Sequence, residues 1–155
     1  MRRGRPSRGF TFVAVLLLLA LVALGLAAVG PIWSQQAQRE RERDLIRVGT
    51  LYANAIASYR QSSPGSEKLY PLSLESLLLD TRFVGTVRHL RKPYPDPLSP
   101  GKPWGVLRDG SGRIVGVYSI STEVPLAQGE QRLDDRVLPP AQRYADWKFL
   151  ADPKP

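Results

Sequence analysis

Apolar residues fall into three patterns along the chain. From 13 to 29 the sequence holds only Leu, Val, Ala and Gly, and no charge appears between Arg8 and Arg39. An α-helix over residues 10–30 extends roughly 30 Å, the thickness of a hydrocarbon core, so this run predicts a membrane-crossing helix. The second pattern starts at Leu45. Leu45, Val48, Gly49, Tyr52, Ala55, Ile56 and Tyr59 recur at steps of three and four, one stripe of an amphipathic helix. Nothing between Gln35 and Tyr59 breaks a helix, so a single helix bent near Pro31 is expected from Phe10 to about Arg60. Ser63-Pro64-Gly65-Ser66 ends it with turn-forming residues.

The third pattern is alternation. Residues 104–107, the turn Asp109-Gly110-Ser111-Gly112 and residues 114–120 predict a β-hairpin. Ile114, Gly116, Tyr118 and Ile120 alternate with Val115, Val117 and Ser119; apolar residues in both sets suit a strand covered on both faces. Asp146-Trp147-Lys148-Phe149 also alternates and is expected to close the sheet, with Trp147 and Phe149 in the core. Between these patterns, residues 70–78 read as a turn and a short helix carrying Leu74, Leu77 and Leu78. Ser73 is its candidate N-cap, and Glu75 lies in its first turn. The prolines between Tyr94 and Pro103 exclude helix and predict a tight extended connection. Residues 127–140 read as loop, and 152–155 as a tail.

Charge changes this picture in one place. The formal net charge of the 155-residue chain is +8. Four Arg residues precede the apolar run, however, and without residues 1–9 the charge falls to +4. Arg2, Arg3, Arg5 and Arg8 therefore act first as a topology signal that keeps the N-terminus cytoplasmic. Arg39-Glu40-Arg41-Glu42-Arg43-Asp44 alternates in sign and reads as a solvated helix face. Trp33 is placed either as an interfacial anchor or as a packing aromatic. Arg82, Arg88, Arg91 and Lys92 make residues 82–92 basic, read as a solvated loop or, alternatively, as a patch for phosphate or an acidic partner.

Arg8-Gly9-Phe10-Thr11-Phe12 places a small residue after a basic leader and an aromatic at the start of the apolar run. This stretch resembles the N-terminus of type IV pilin-like proteins, including the pseudopilins of type II secretion. The resemblance implies cleavage between Gly9 and Phe10 by a prepilin peptidase and methylation of Phe10. Pro31 stands twenty-one residues beyond Phe10, where the family's helix bends. The family usually carries Glu at the fifth mature position, where this chain has Ala14. That Glu is thought to neutralise a neighbour's N-terminal amine, and a buried ammonium without a partner is costly. A missing Glu is typical of the family's tip subunit, usually a much larger chain. Tyr70-Pro71 with the Leu-bearing turn, and Asp96-Pro97 … Trp104-Gly105 … Tyr118-Ser119, resemble the major pseudopilin, with an insertion between Pro97 and Trp104. Family members bind calcium after that Ser. This chain has Thr122-Glu123-Val124-Pro125-Leu126 there, and its nearest acids are Glu123, Asp134 and Asp135. No cofactor is therefore expected, with calcium left open as the family's ligand.

One His and no Cys leave no thiolate metal site, zinc site or catalytic triad to name, and no enzyme activity is expected. The expected fold is α+β. A long N-terminal transmembrane and amphipathic helix carries a small antiparallel sheet on its C-terminal half, in the pilin-like manner. The expected divisions are a leader at 1–9, a transmembrane and assembly helix at 10–33, and its amphipathic continuation at 34–61. A periplasmic domain follows at 62–155, with a hairpin at 104–121. The expected role is a structural subunit of a type II secretion or related type IV pilus filament, supporting protein export. Its implied partners are the prepilin peptidase/methyltransferase, other pseudopilins or pilins and an inner-membrane assembly platform. The expected location is the inner membrane, single-pass, with the C-terminal domain periplasmic; nucleic acid is not expected as a partner. Two alternatives stand: a minor pilin contacting DNA or a surface partner through 82–92, and a plain membrane-anchored periplasmic domain.

Overall fold

The computed structural model describes the backbone of residues 8–127, 129–133 and 136–152, and the side chains of 11–23, 35–127, 129–132 and 137–152. The fold is a small α+β structure in two compact units, Met1–Gln38 and Arg39–Pro155. Helix α1 (Arg8–Gln61) contributes to both. The run that precedes Ser63-Pro64-Gly65-Ser66 is thus helical, as its periodicity predicts.

The expectation of a transmembrane helix is corrected. Among the described residues, no helix is long and apolar enough to cross a membrane. The apolar side chains described in the first unit lie at 11–23, about 20 Å of helix, against the roughly 30 Å of a hydrocarbon core. Residues 24–34 lie outside the described side chains.

In the second unit the stripe on α1 becomes one wall of the core. Leu45 and Ile56 are fully enclosed, and Val48, Tyr52, Ala55 and Tyr59 are buried beside them. Strands β1 (Gly105–Arg108) and β2 (Ile114–Tyr118) form the hairpin that alternation predicts. Its register pairs Gly105 with Tyr118 and Val106 with Val117, and an irregularity follows Leu107. Asp109 sets the turn: one carboxylate oxygen accepts from the Ser111 and Arg113 amides at 2.8 and 2.9 Å. Gly112 supplies the left-handed residue, at φ 78°. On β2, Ile114 and Val117 are buried while Val115 and Tyr118 are half-buried, so both faces are partly covered.

Three local expectations change. Residues 127–140, expected as loop, contain an antiparallel ribbon of β3 (Gln131–Leu133) and β4 (Arg136–Leu138). Its polar sequence carries little apolar alternation; of its described side chains, Leu138 is buried and Val137 exposed. The last strand, β5 (Phe149–Leu150), starts later than expected because Tyr144–Asp146 forms a 3-10 turn first. It adds antiparallel to β2, giving the order β1-β2-β5. Ser73 does not cap a helix. Only a single 3-10 turn, Glu75–Leu77, forms there, without a side-chain cap, and the Ser73 hydroxyl lies 3.4 Å from that of Ser76.

The sheet closes on α1 where the helix has no side chain. A methyl group on Gly49 would meet the Phe149 ring at 2.5 Å. Phe149 and Trp147 are enclosed, as the alternating pattern expected. Gly49 therefore lets β5 approach the helix closely enough to bury both.

Candidate assembly segment and polar anchors

The segment behind the Gly9-Phe10 junction presents apolar side chains that stand exposed among the described residues. Phe12, Val13, Leu17, Leu18, Leu19 and Leu21 are each about three-fifths exposed, and Val15, Leu16 and Val22 about half. A helix apolar all round is built to be covered by something outside itself. Ala14 lies exposed within this segment and brings a methyl group where the resembling family brings a carboxylate. The backbone of Gly9, Phe10 and Pro31 belongs to α1. Their side-chain environments, like that of Trp33, lie outside the described residues.

The second unit is held by buried polar groups. Asp80 is fully enclosed and receives Arg82 through Nε at 2.9 Å and Nη2 at 2.6 Å. Arg82 also donates to the Ser63 hydroxyl and to the Tyr59 carbonyl, each at 2.8 Å. Its guanidinium carbon lies 3.5 Å from the centroid of the Tyr59 ring. Hydrogen bonding from Arg82 holds the Asp80 carboxyl well below the usual carboxylate range, against the opposing effect of burial. His89 joins the cluster, with Nε2 3.1 Å from Asp80 and Nδ1 2.9 Å from the Ser58 hydroxyl. Its side chain is only 4% exposed. The lone His is therefore structural, tying residues 80–90 to α1. Serine, imidazole and carboxylate stand in a row here, but the carboxylate is committed to Arg82 and the imidazole is enclosed.

This geometry divides the basic stretch 82–92. Arg82 is turned inward and spent on Asp80, whereas Arg88, Arg91 and Lys92 are exposed. The solvated reading holds for those three and fails for Arg82, whose partner lies two residues upstream.

Glu42 is the anchor that the sign-alternating run concealed. It was expected on a solvated face, yet it is 7% exposed. Its carboxylate accepts from the Leu126 amide at 2.9 Å, the Ala127 amide at 3.2 Å and the Tyr144 hydroxyl at 2.8 Å. One signal for this was in the sequence: Glu42 precedes Leu45 by three residues and so extends the buried stripe by one step. Asp96, also enclosed, accepts from the Ser119 hydroxyl at 2.7 Å and the Leu98 amide at 2.9 Å. The prolines around it gave no warning of that burial.

Among the described residues, no group of three or more His, Cys, Asp or Glu is placed to hold a metal ion. Glu123 is described and exposed, while Asp134 and Asp135 lie outside the described residues. The loop at 126–127 is fastened to α1 by Glu42, a carboxylate clasp made from the chain itself. Comparison with protein-family models, with curated proteins and with solved structures finds no match to this chain.

Proposed function

We propose that the chain is a pseudopilin-like structural subunit of a type II secretion or related filament, assembled by side-by-side packing of its N-terminal helix with those of neighbouring subunits. The observation that supports this reading is the exposure, around the helix, of the apolar side chains at 11–23, directly behind Gly9-Phe10. Dispersion and close packing between such helices supply the association energy, and small residues permit close approach: Gly25, Ala27, Ala28 and Gly30, which lie outside the described side chains, and Ala14 and Ala20 among those described. The subunit is processed between Gly9 and Phe10 and methylated at Phe10 by the prepilin enzyme. It is then assembled at an inner-membrane platform with its globular unit on the periplasmic side. It does no covalent chemistry of its own.

The test is the intact mass of the chain from cells with and without prepilin peptidase. Loss of residues 1–9 and gain of one methyl group, dependent on the enzyme, is the expected result. Gly9→Leu should leave the chain uncut, since a large side chain blocks the peptidase at the junction. An unprocessed N-terminus in both cell types refutes the reading.

A further inference from the structure

The second unit carries a groove and a knob of matching chemistry on different parts of its surface. The groove, about 370 Å³, is walled by Tyr52, Leu74, Leu78, Leu90, Tyr94 and Trp104. A second hollow of about 420 Å³ lies beside it and shares Leu90 and Tyr94. Its depth is apolar and its surroundings are mostly basic. Lys102 is exposed at the rim, Arg91 lines the neighbouring hollow, and the Lys92 ammonium lies 5.4 Å from the Tyr94 ring centroid. Among the described residues none of these three cations has a carboxylate within ion-pair distance, unlike Arg47, Arg60, Arg82 and Arg132. The rim's one acid is the exposed Glu75, against these three cations.

The knob is the loop at 123–126. Val124 is 59% exposed and Leu126 40%, and the Glu123 carboxylate beside them has no partner among the described residues. The loop's backbone is fixed from behind. Glu42 holds the Leu126 amide, and the Glu123 carbonyl accepts from the Tyr144 amide at 3.1 Å. An apolar tip that is exposed yet held rigid, with an unpaired carboxylate beside it, has the form of an inserting segment.

We propose that the 123–126 loop of one copy seats in the Tyr52–Trp104 groove of the next, with Glu123 set against Lys102 and Arg91. This rests on the filament reading above and names its lateral contact. The knob is tethered at the level of Glu42 and the groove lies at the level of Tyr52, about 15 Å further along α1. One copy must therefore be displaced along the helix axis for its knob to meet its neighbour's groove. The contact joins two different surfaces of copies that run parallel, as the filament reading requires, and are displaced along the helix axis, so it repeats head to tail into an open array.

The chain contains no Cys, so introduced thiols report without background. The experiment uses the full chain and a short bismaleimide. Carrying both Lys102→Cys and Val124→Cys, it is expected to give a ladder of cross-linked multimers. Mixed chains carrying one substitution each should give dimers alone, and either single-substituted chain by itself should give none. Leu17→Cys reports helix packing independently. Cross-linking at 17 without any between 102 and 124 overturns the knob-and-groove contact and leaves the filament reading standing; no cross-linking at either place overturns both. Charge exchange sharpens the result. Glu123→Lys and Lys102→Glu should each lower the 102–124 type of association about tenfold, measured by sedimentation of the assembled chain, and the double exchange should restore it. A double exchange that stays as weak as the singles, with unchanged thermal unfolding, overturns the pairing.

Discussion

The two stretches of α1 have opposite relations to their surroundings. At 11–23 the helix is apolar on every side and its side chains stand exposed. At 45–59 it is apolar along one stripe only, and that stripe is enclosed by the sheet and the loops of the same unit. The amount of apolar surface is therefore a poor guide to where a helix finds its partner. Distribution is the better one. A stripe with polar flanks can be satisfied within one small domain, whereas an apolar surface all round needs neighbours on every side.

The enclosure around the second stretch depends most on Asp80, which is tied to α1 through His89 and Ser58. Replacing it by Ala strands a guanidinium and an imidazole among buried groups, and should cost about 3 kcal/mol of unfolding free energy in the second unit, read from the denaturant midpoint of the full chain. The milder Asp80→Asn tests the pH dependence. Because the folded carboxyl is held below its ordinary value, the folded state binds a proton less readily than the unfolded chain. The stabilisation is thus fully present above about pH 4 and is lost as the pH falls through the folded value. Midpoints measured at about pH 6 and pH 3 should differ less in Asp80→Asn than in the parent.

Gly49→Ala comes next. The added methyl group overlaps the enclosed Phe149 ring, so helix and β5 must separate, at a cost of about 2 kcal/mol. The same change at an exposed helical position would instead stabilise, since Ala is the better helix former; a higher midpoint in Gly49→Ala would show that the close contact is relieved without cost. Glu42→Gln removes a charge from a clasp of three donors and should cost about 1.5 kcal/mol, with the 126–127 amides exchanging hydrogen faster.

The smallest effect on stability and the largest on assembly should come from the first stretch. Leu17→Ser, at a side chain 62% exposed, should move the unfolding midpoint by less than about 0.5 kcal/mol equivalent while reducing filament yield. A large stability loss would mean that this stretch is covered by its own chain. Ala14→Glu should raise yield, because a carboxylate there can pair with a neighbour's N-terminal amine; unchanged yield would mean that the amine is satisfied in another way.

Local pattern made much of this protein legible. The stripe from Leu45 to Tyr59, the hairpin about Asp109-Gly112 and the enclosure of Trp147 and Phe149 all follow from periodicity and turn chemistry, which act over a few residues. The membrane-spanning expectation drew on the same kind of pattern and did not survive, because the apolar side chains described at 11–23 cover only part of the required length. The candidate assembly segment was visible as composition, but nothing in its composition says what covers it.

What tertiary structure alone decided are the places where distant residues meet. Asp80 is drawn to His89 and through it to Ser58, and Asp96 to Ser119 across 23 positions. Glu42 reaches Tyr144 across 102. Periodicity can put a charged side chain in line with a buried stripe, as it does Glu42, but carries no mark of the partners that would let it be buried there. Desolvation of the charge is tolerated only when the fold brings donors to it, and those donors are set by packing elsewhere in the chain. Periodicity could thus determine which face of α1 is buried and that Glu42 is in line with it, while only the folded chain could determine that Leu126, Ala127 and Tyr144 bring the donors that keep it there.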